Sequence, residues 1–237
     1  MSNRLPSQRL RHHTSIPLEI VIAVLTFAPI PILIYFYSTL PSRIPVFLNF
    51  RGEVEVWANK SIISVFRVPL MAIDLQLICL LMKYGTVHYK PMSLAGPEVY
   101  LKRLTTLSVD IWDWFRVWIA VKMIAESLSI LFIRNRDMSV LETTAWAVTW
   151  IATIVGVAGA LVYGYRLLMV KREMKKAAGD APVVRPIDKS HVYSGIFYYN
   201  PADSAVFVDK YALNFGNLWS YALLGCAVAY PLLVFSA

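Results

Sequence analysis

Charged side chains are scarce in this chain: Asp, Glu, Lys and Arg make up 16% of its 237 residues, against about 25% in an ordinary soluble domain. With 57% hydrophobic residues and a mean hydropathy of +0.54, that shortage excludes a water-soluble globule under a charged coat. Cysteine is nearly missing. Cys79 and Cys226 are the two, both inside apolar runs and outside any CxxC pair, which excludes a disulfide framework and a thiolate metal site. The histidines are His12, His13, His88 and His191. None falls in an apolar block, so no haem or chlorin held by intramembrane histidine is expected. No glycine-rich phosphate loop, HExxH or GxSxG occurs, and no nucleophile, base and orienting group can be assembled. The chain reads as a non-enzyme without cofactor or metal.

Long apolar sequence is what the chain has instead. Five blocks cover residues 16–40, 61–82, 107–133, 141–170 and 218–237, each near or beyond the ~20 residues that cross a ~30 Å hydrocarbon core. Hydrocarbon offers the backbone no hydrogen bonds, so each block is predicted to be a helix. The expected fold is an all-α membrane protein, a five-transmembrane-helix bundle with a short cytoplasmic aromatic module that includes a small hairpin. Its parts are a four-helix domain (1–170) with an ordered outer loop (40–60), a basic linker (171–192), the aromatic module (193–217) and the fifth helix (218–237). The first block is longer than a signal-peptide core and holds Pro29 and Pro31, so it reads as a span.

The net charge of +8 marks topology and not nucleic-acid binding. Alternate polar segments (1–15, 83–106 and 171–217) hold fourteen Lys and Arg residues, while 41–60 and 134–140 hold five. The positive-inside rule puts the N-terminus and the 171–217 segment in the cytoplasm and the C-terminus outside. The expected site is the bacterial inner membrane, with the lipid bilayer as the first partner.

Charges at membrane depth are costly and need partners. The second block carries Arg67 and Asp74; the third carries Asp110, Asp113, Arg116, Lys122 and Glu126. At ~1.5 Å of rise per residue, Asp74 falls near the depth of Arg116, and Arg67 near that of Lys122 and Glu126. Asp113 with Arg116, and Lys122 with Glu126, share a helix face. A polar seam between helices two and three is predicted, with Asp74–Arg116 and Arg67–Glu126 in contact. The two signs balance, which favours structural ion pairs over an ion path. In the fourth block, Ala152, Gly156, Ala160 and Gly164 repeat every four residues. This is a ridge of small side chains that lets backbones approach, read as packing within the chain before a dimer face. Ala222, Gly225 and Ala229 are a weaker counterpart.

The outer loop reads LPSRIPVFLNFRGEVEVWANKS from Leu40. Pro41 and Pro45 restrain it, Gly52 permits a turn, and Trp57 and Lys60 stand where an interfacial anchor belongs. With Leu40, Pro41, Ile44, Pro45, Val46, Asn49, Gly52, Glu53, Trp57 and Lys60 in this order, the loop resembles a bacterial membrane family of unknown function associated with SdpI-type immunity proteins. The family commonly has histidine after IPV. This chain has Phe47 there, so no metal or proton role carries over. A second run, YSGIFYYNPADSAVFVDKYALNFGN from Tyr193, looks like an aromatic-rich module often found with the same family. Its marks are Tyr198, Tyr199, Asn200, Pro201, Asp203 and Asn214. Asn200-Pro201 with Asp203 signals a turn, and 196–199 with 205–208 are predicted to pair. The aromatics read as interface anchors.

The resemblance implies an integral membrane binding or immunity-type protein, its outer loop recognising an extracellular peptide or lipid. The alternative is an accessory subunit of a larger respiratory or photosynthetic membrane complex. A second alternative is a small transporter using the polar seam.

Overall fold

A computed structural model describes residues 14–48, 54–88, 98–131, 138–178, 192–193, 197–202 and 213–235. The chain is mostly helical. The first apolar block becomes α1 (Ile16–Phe27) and α2 (Pro29–Phe36), followed by a 3₁₀ turn at Tyr37–Thr39. The break falls at Pro29, which has no N–H for the helical ladder. Next come β1 (Arg43–Leu48) and β2 (Val54–Asn59), then α3 (Ile62–His88), α4 (Glu98–Ser129) and α5 (Met138–Ala178). The short β3 (Val192–Tyr193) and β4 (Phe197–Tyr198) precede α6 (Leu218–Phe235).

Three stretches, Ile16–Thr39, Ile62–Val87 and Trp146–Ala177, are long and apolar enough to cross a membrane. Leu218–Val234 is apolar but shorter, and α4 carries charges along its length. Both α3 and α4 outrun their apolar blocks. Lys83 and Thr86 extend α3 because each still has a partner on α4, Asp113 and Trp112. Arg103 does the same for the start of α4 through Glu173 of α5.

The chain divides into two compact units. One is built on residues 15–77, 115–158 and 226–237. Its core cluster is Leu33, Leu40, Ile44, Val65 and Ile130, flanked by Tyr37, Val46, Phe66 and Leu131. The outer loop, expected only to be ordered, is an antiparallel hairpin that adds a β ribbon to the predicted all-α fold. Its register pairs Arg43 with Asn59, Pro45 with Trp57 and Leu48 with Val54, with irregularities on both sides of Phe47. A two-stranded ribbon is all edge, so it tolerates a proline inside a strand. Ser61 then starts α3: its Oγ accepts from Ser64 N–H at 3.0 Å, and Ser64 Oγ accepts from Ser61 N–H at 2.8 Å. This is a capping box made with two serines.

The other unit is built on residues 78–114 and 159–225. Here α4 and α5 run antiparallel, since Arg103 meets Glu173 and Trp114 meets both Gly159 and Tyr163. Its aromatic module pairs β3 with β4, Val192 opposite Tyr198 and Tyr193 opposite Phe197. The strand at 197–198 therefore finds its partner upstream; residues 205–208, the predicted partner, lie outside the described residues. Asn214 closes the module. It is fully buried, accepts from the N–H groups of Asn200 and Gly216 at 3.0 Å each, and donates to Asn200 O at 3.0 Å. Gly216 is required here, because a β-carbon would stand 2.7 Å from Asn200 N.

Candidate functional site

The first unit gathers the predicted membrane-depth charges, with partners other than those expected. Arg116, nearly buried, donates from both terminal nitrogens to the two oxygens of Glu19 at 2.7 Å. Its Nε donates to Gln76 Oε1 at 3.2 Å, and Gln76 Nε2 donates to Arg116 O at 2.7 Å. The expected Asp74–Arg116 contact is replaced by Glu19, because α1 supplies a bidentate carboxylate. Asp74 instead hydrogen-bonds Cys226 of α6, and its Oδ2 has no partner among the described residues. The expected Arg67–Glu126 contact is also absent among the described residues. Arg67 Nη1 donates to Val234 O at 3.4 Å and its Nε is unpartnered, while Glu126 takes Lys122, four residues back on the same helix face.

In the other unit Lys83 is completely buried and donates to both oxygens of Asp113 at 2.8 and 2.9 Å. Trp112 Nε1 donates to Thr86 Oγ1 at 3.0 Å. Asp113 thus reaches across to α3. A cavity of about 480 Å³ lies between α4 and α5, lined by Arg103, Thr106, Leu107, Asp110, Tyr165, Arg166, Met169 and Val170. Asp74 is not among the lining residues.

The outer-loop residues divide by role. Lys60 closes the end of the first helical stretch: its Nζ donates to Leu40 O at 3.0 Å and Tyr37 O at 3.5 Å, and stands 5.4 Å from the Tyr37 ring centroid. Cations suit a helix C-terminus because its last carbonyls are unsatisfied. Pro45 is half-buried opposite Trp57. Phe47, Val56 and Trp57 are 49%, 44% and 41% exposed, so the hairpin shows an apolar surface. Asn49, Gly52 and Glu53 lie outside the described residues.

Two members of the small-residue ridge, Ala152 and Gly156, pack against Trp118 within the first unit. Trp118 donates to Ala152 O at 2.7 Å and fills the notch at Gly156. Trp114 fills the notch at Gly159, a position the four-residue repeat skips. Ala160 is exposed, and a β-carbon at Gly164 would meet nothing within 4 Å. In the module Tyr198 is buried and its hydroxyl accepts from Asn200 Nδ2 at 3.2 Å, whereas Tyr199 and Pro201 are exposed. Asn200 turns the chain, accepting from Ala202 N–H at 3.0 Å. Asp203 lies outside the described residues.

Glu19, Gln76 and Lys83 are the site residues that the sequence reading passed over. Glu19 is the one acid in its apolar block, and that block holds no base, so its partner had to come from another helix. The chain matches no described protein family, no curated protein and no solved structure.

Proposed function

We propose that this chain is an integral protein of the bacterial inner membrane, five times spanning, with its N-terminus in the cytoplasm. In this reading it is a non-catalytic binding protein of the immunity type, and the β1–β2 hairpin is its outer recognition element. One observation carries it: the hairpin is anchored by Lys60 and Ile44, yet leaves Phe47, Val56 and Trp57 exposed. A two-stranded ribbon offers unpaired backbone edges, so an extended peptide can add as a strand while its apolar side chains meet that surface. The loop's resemblance to the SdpI-associated family points the same way. The matched charges of α4 support a fourth crossing, since Arg116, Asp113 and Lys122 each have an opposite charge at hand. That matching also weighs against an ion path along α4.

The test is protection. Cells carrying the chain should survive a membrane-active peptide added from outside, and Trp57→Ala with Val56→Ser should remove that survival without lowering the amount of protein in the membrane. Full protection by the double variant would end the reading. A second reading, an accessory subunit of a larger membrane complex, is favoured by α5. Only 6% of its most apolar window is buried, and Ile151, Ile154, Leu161 and Leu168 are all exposed. It requires stoichiometric co-purification of large partners in mild detergent.

A further inference from the structure

The hairpin has two outer edges, one along β1 and one along β2, and they are not equivalent. In an antiparallel pair, residues whose backbone N–H and C=O bond across the ribbon alternate with residues whose groups point away from it. One bond fixes the phase. Lys60 N–H donates to Ser42 O at 2.7 Å, so the next pair, Arg43 with Asn59, points outward. The register runs unbroken through Ile44 and Ala58 to Pro45 and Trp57, which therefore point outward as well. Pro45 thus has its missing N–H on the outer edge of β1, and it sits in the ladder without breaking it. The same placement leaves that edge short of a donor. On β2 the outward groups are the N–H and C=O of Trp57 and the N–H of Asn59, while Asn59 O already accepts from Ser64 Oγ at 2.9 Å. Donor, acceptor and donor at strand spacing form a template for an added strand.

Side chains along β2 narrow what would add there. Glu55, Trp57 and Asn59 are exposed. Glu55 makes no ion pair among the described residues, and Val54–Asn59 contains no Lys or Arg. A strand laid along this edge meets a carboxylate and, two residues on, a large aromatic surface. Opposite charges and aromatic contacts are what neighbouring strands exchange.

We infer that β2 is the edge that binds, and that its partner is an extended cationic peptide with apolar residues alternating between its basic ones. The inference rests on the hairpin being the recognition element. Chains with Cys79 and Cys226 replaced by Ala, and carrying either Asn59→Cys or Arg43→Cys, are purified in detergent. Each is mixed with an acetylated peptide of alternating lysine and valine that ends in a cysteine activated as its pyridyl disulfide. Capture is read as added mass, relative to capture of free cysteine activated in the same way. Positions 43 and 59 face each other across the ribbon and both are exposed, so a strand on β2 should be captured at 59 and not at 43. The glutamate–valine counterpart should be captured about threefold less, the worth of an exposed ion pair, and Glu55→Lys should invert that order. Pro45→Val returns a donor to β1 and should open position 43. Equal capture at 43 and 59 beside Pro45, or none at either, would overturn the inference, as would a position 43 that stays closed in the Pro45→Val chain. The two claims fail separately: cells that survive the added peptide, with capture equal at both positions, would keep the hairpin as the recognition element and discard its β2 edge.

Discussion

At Arg116 the energetics turn on what happens when a partner leaves. The side chain is 6% exposed and its carboxylate partner Glu19 27% exposed, so little water is at hand to replace Glu19. Removing one member of a buried pair leaves an uncompensated charge, which costs about 3–5 kcal/mol, while replacing both by apolar groups of similar size is often neutral. Glu19→Ala should therefore lower unfolding free energy in detergent by about that amount, read by tryptophan fluorescence against denaturant. Glu19→Leu combined with Arg116→Met should recover most of it. A double variant as unstable as the single would show that the pair contributes net stability. Depth arithmetic had Asp74 and Arg116 level with each other, and they are carried on neighbouring helices. What it could not see was which carboxylate reaches both guanidinium nitrogens at once. That depends on the rotation of α1 about its axis, and periodicity is silent where nearly every residue is apolar.

The elements show why the helices were legible and the ribbon was not. Long apolar runs specify helix through the absence of water, whatever their internal pattern, so the block 16–40 emerges as Ile16–Thr39 and the block 61–82 as a helix that runs on to His88. The hairpin depends on cross-strand pairing between residues up to sixteen positions apart, such as Arg43 and Asn59. Its strands are short, and Pro45 reads as a loop residue until its partner is known. The small-residue ridge divides likewise into contacts and vacancies. Gly156 and Gly164 occupy equivalent steps of the repeat, yet a β-carbon at Gly156 would come 2.8 Å from Trp118 while one at Gly164 would meet nothing within 4 Å. Gly156→Ala must push the indole away and break its bond to Ala152 O, so overpacking of about 1–3 kcal/mol outweighs the helix-propensity gain. Gly164→Ala keeps only that gain and should stabilise by roughly 0.5–1 kcal/mol. Melting temperatures of the two variants should move in opposite directions; movement together would show that the notch at Gly156 is loose.

For the molecule as a whole the open quantity is the number of crossings, and it turns on α4. Three stretches meet length and composition together; α4 fails on composition because Asp110, Asp113, Arg116, Lys122 and Glu126 interrupt it. A charged side chain in hydrocarbon costs at least about 2.5–3.5 kcal/mol on insertion scales, but a paired one presents the lipid with no net charge. Arg116 with Glu19, Lys83 with Asp113, and Lys122 with Glu126 are such pairs, so α4 can cross despite the charges it carries. If α4 crosses, and the shorter apolar α6 crosses too, five crossings with the N-terminus inside put the hairpin outside and the basic end of α5 inside, in keeping with fourteen cationic residues against five in alternate segments. In a chain with Cys79 and Cys226 replaced by Ala, a cysteine at position 57 should react with a membrane-impermeant maleimide added to intact cells. A cysteine at position 175 should react only after the membrane is opened. Had α4 failed to cross, position 175 would label from outside together with position 57. The two outcomes differ in one gel band, and the same pair of variants reports directly on whether matched charges are enough to carry a helix through lipid.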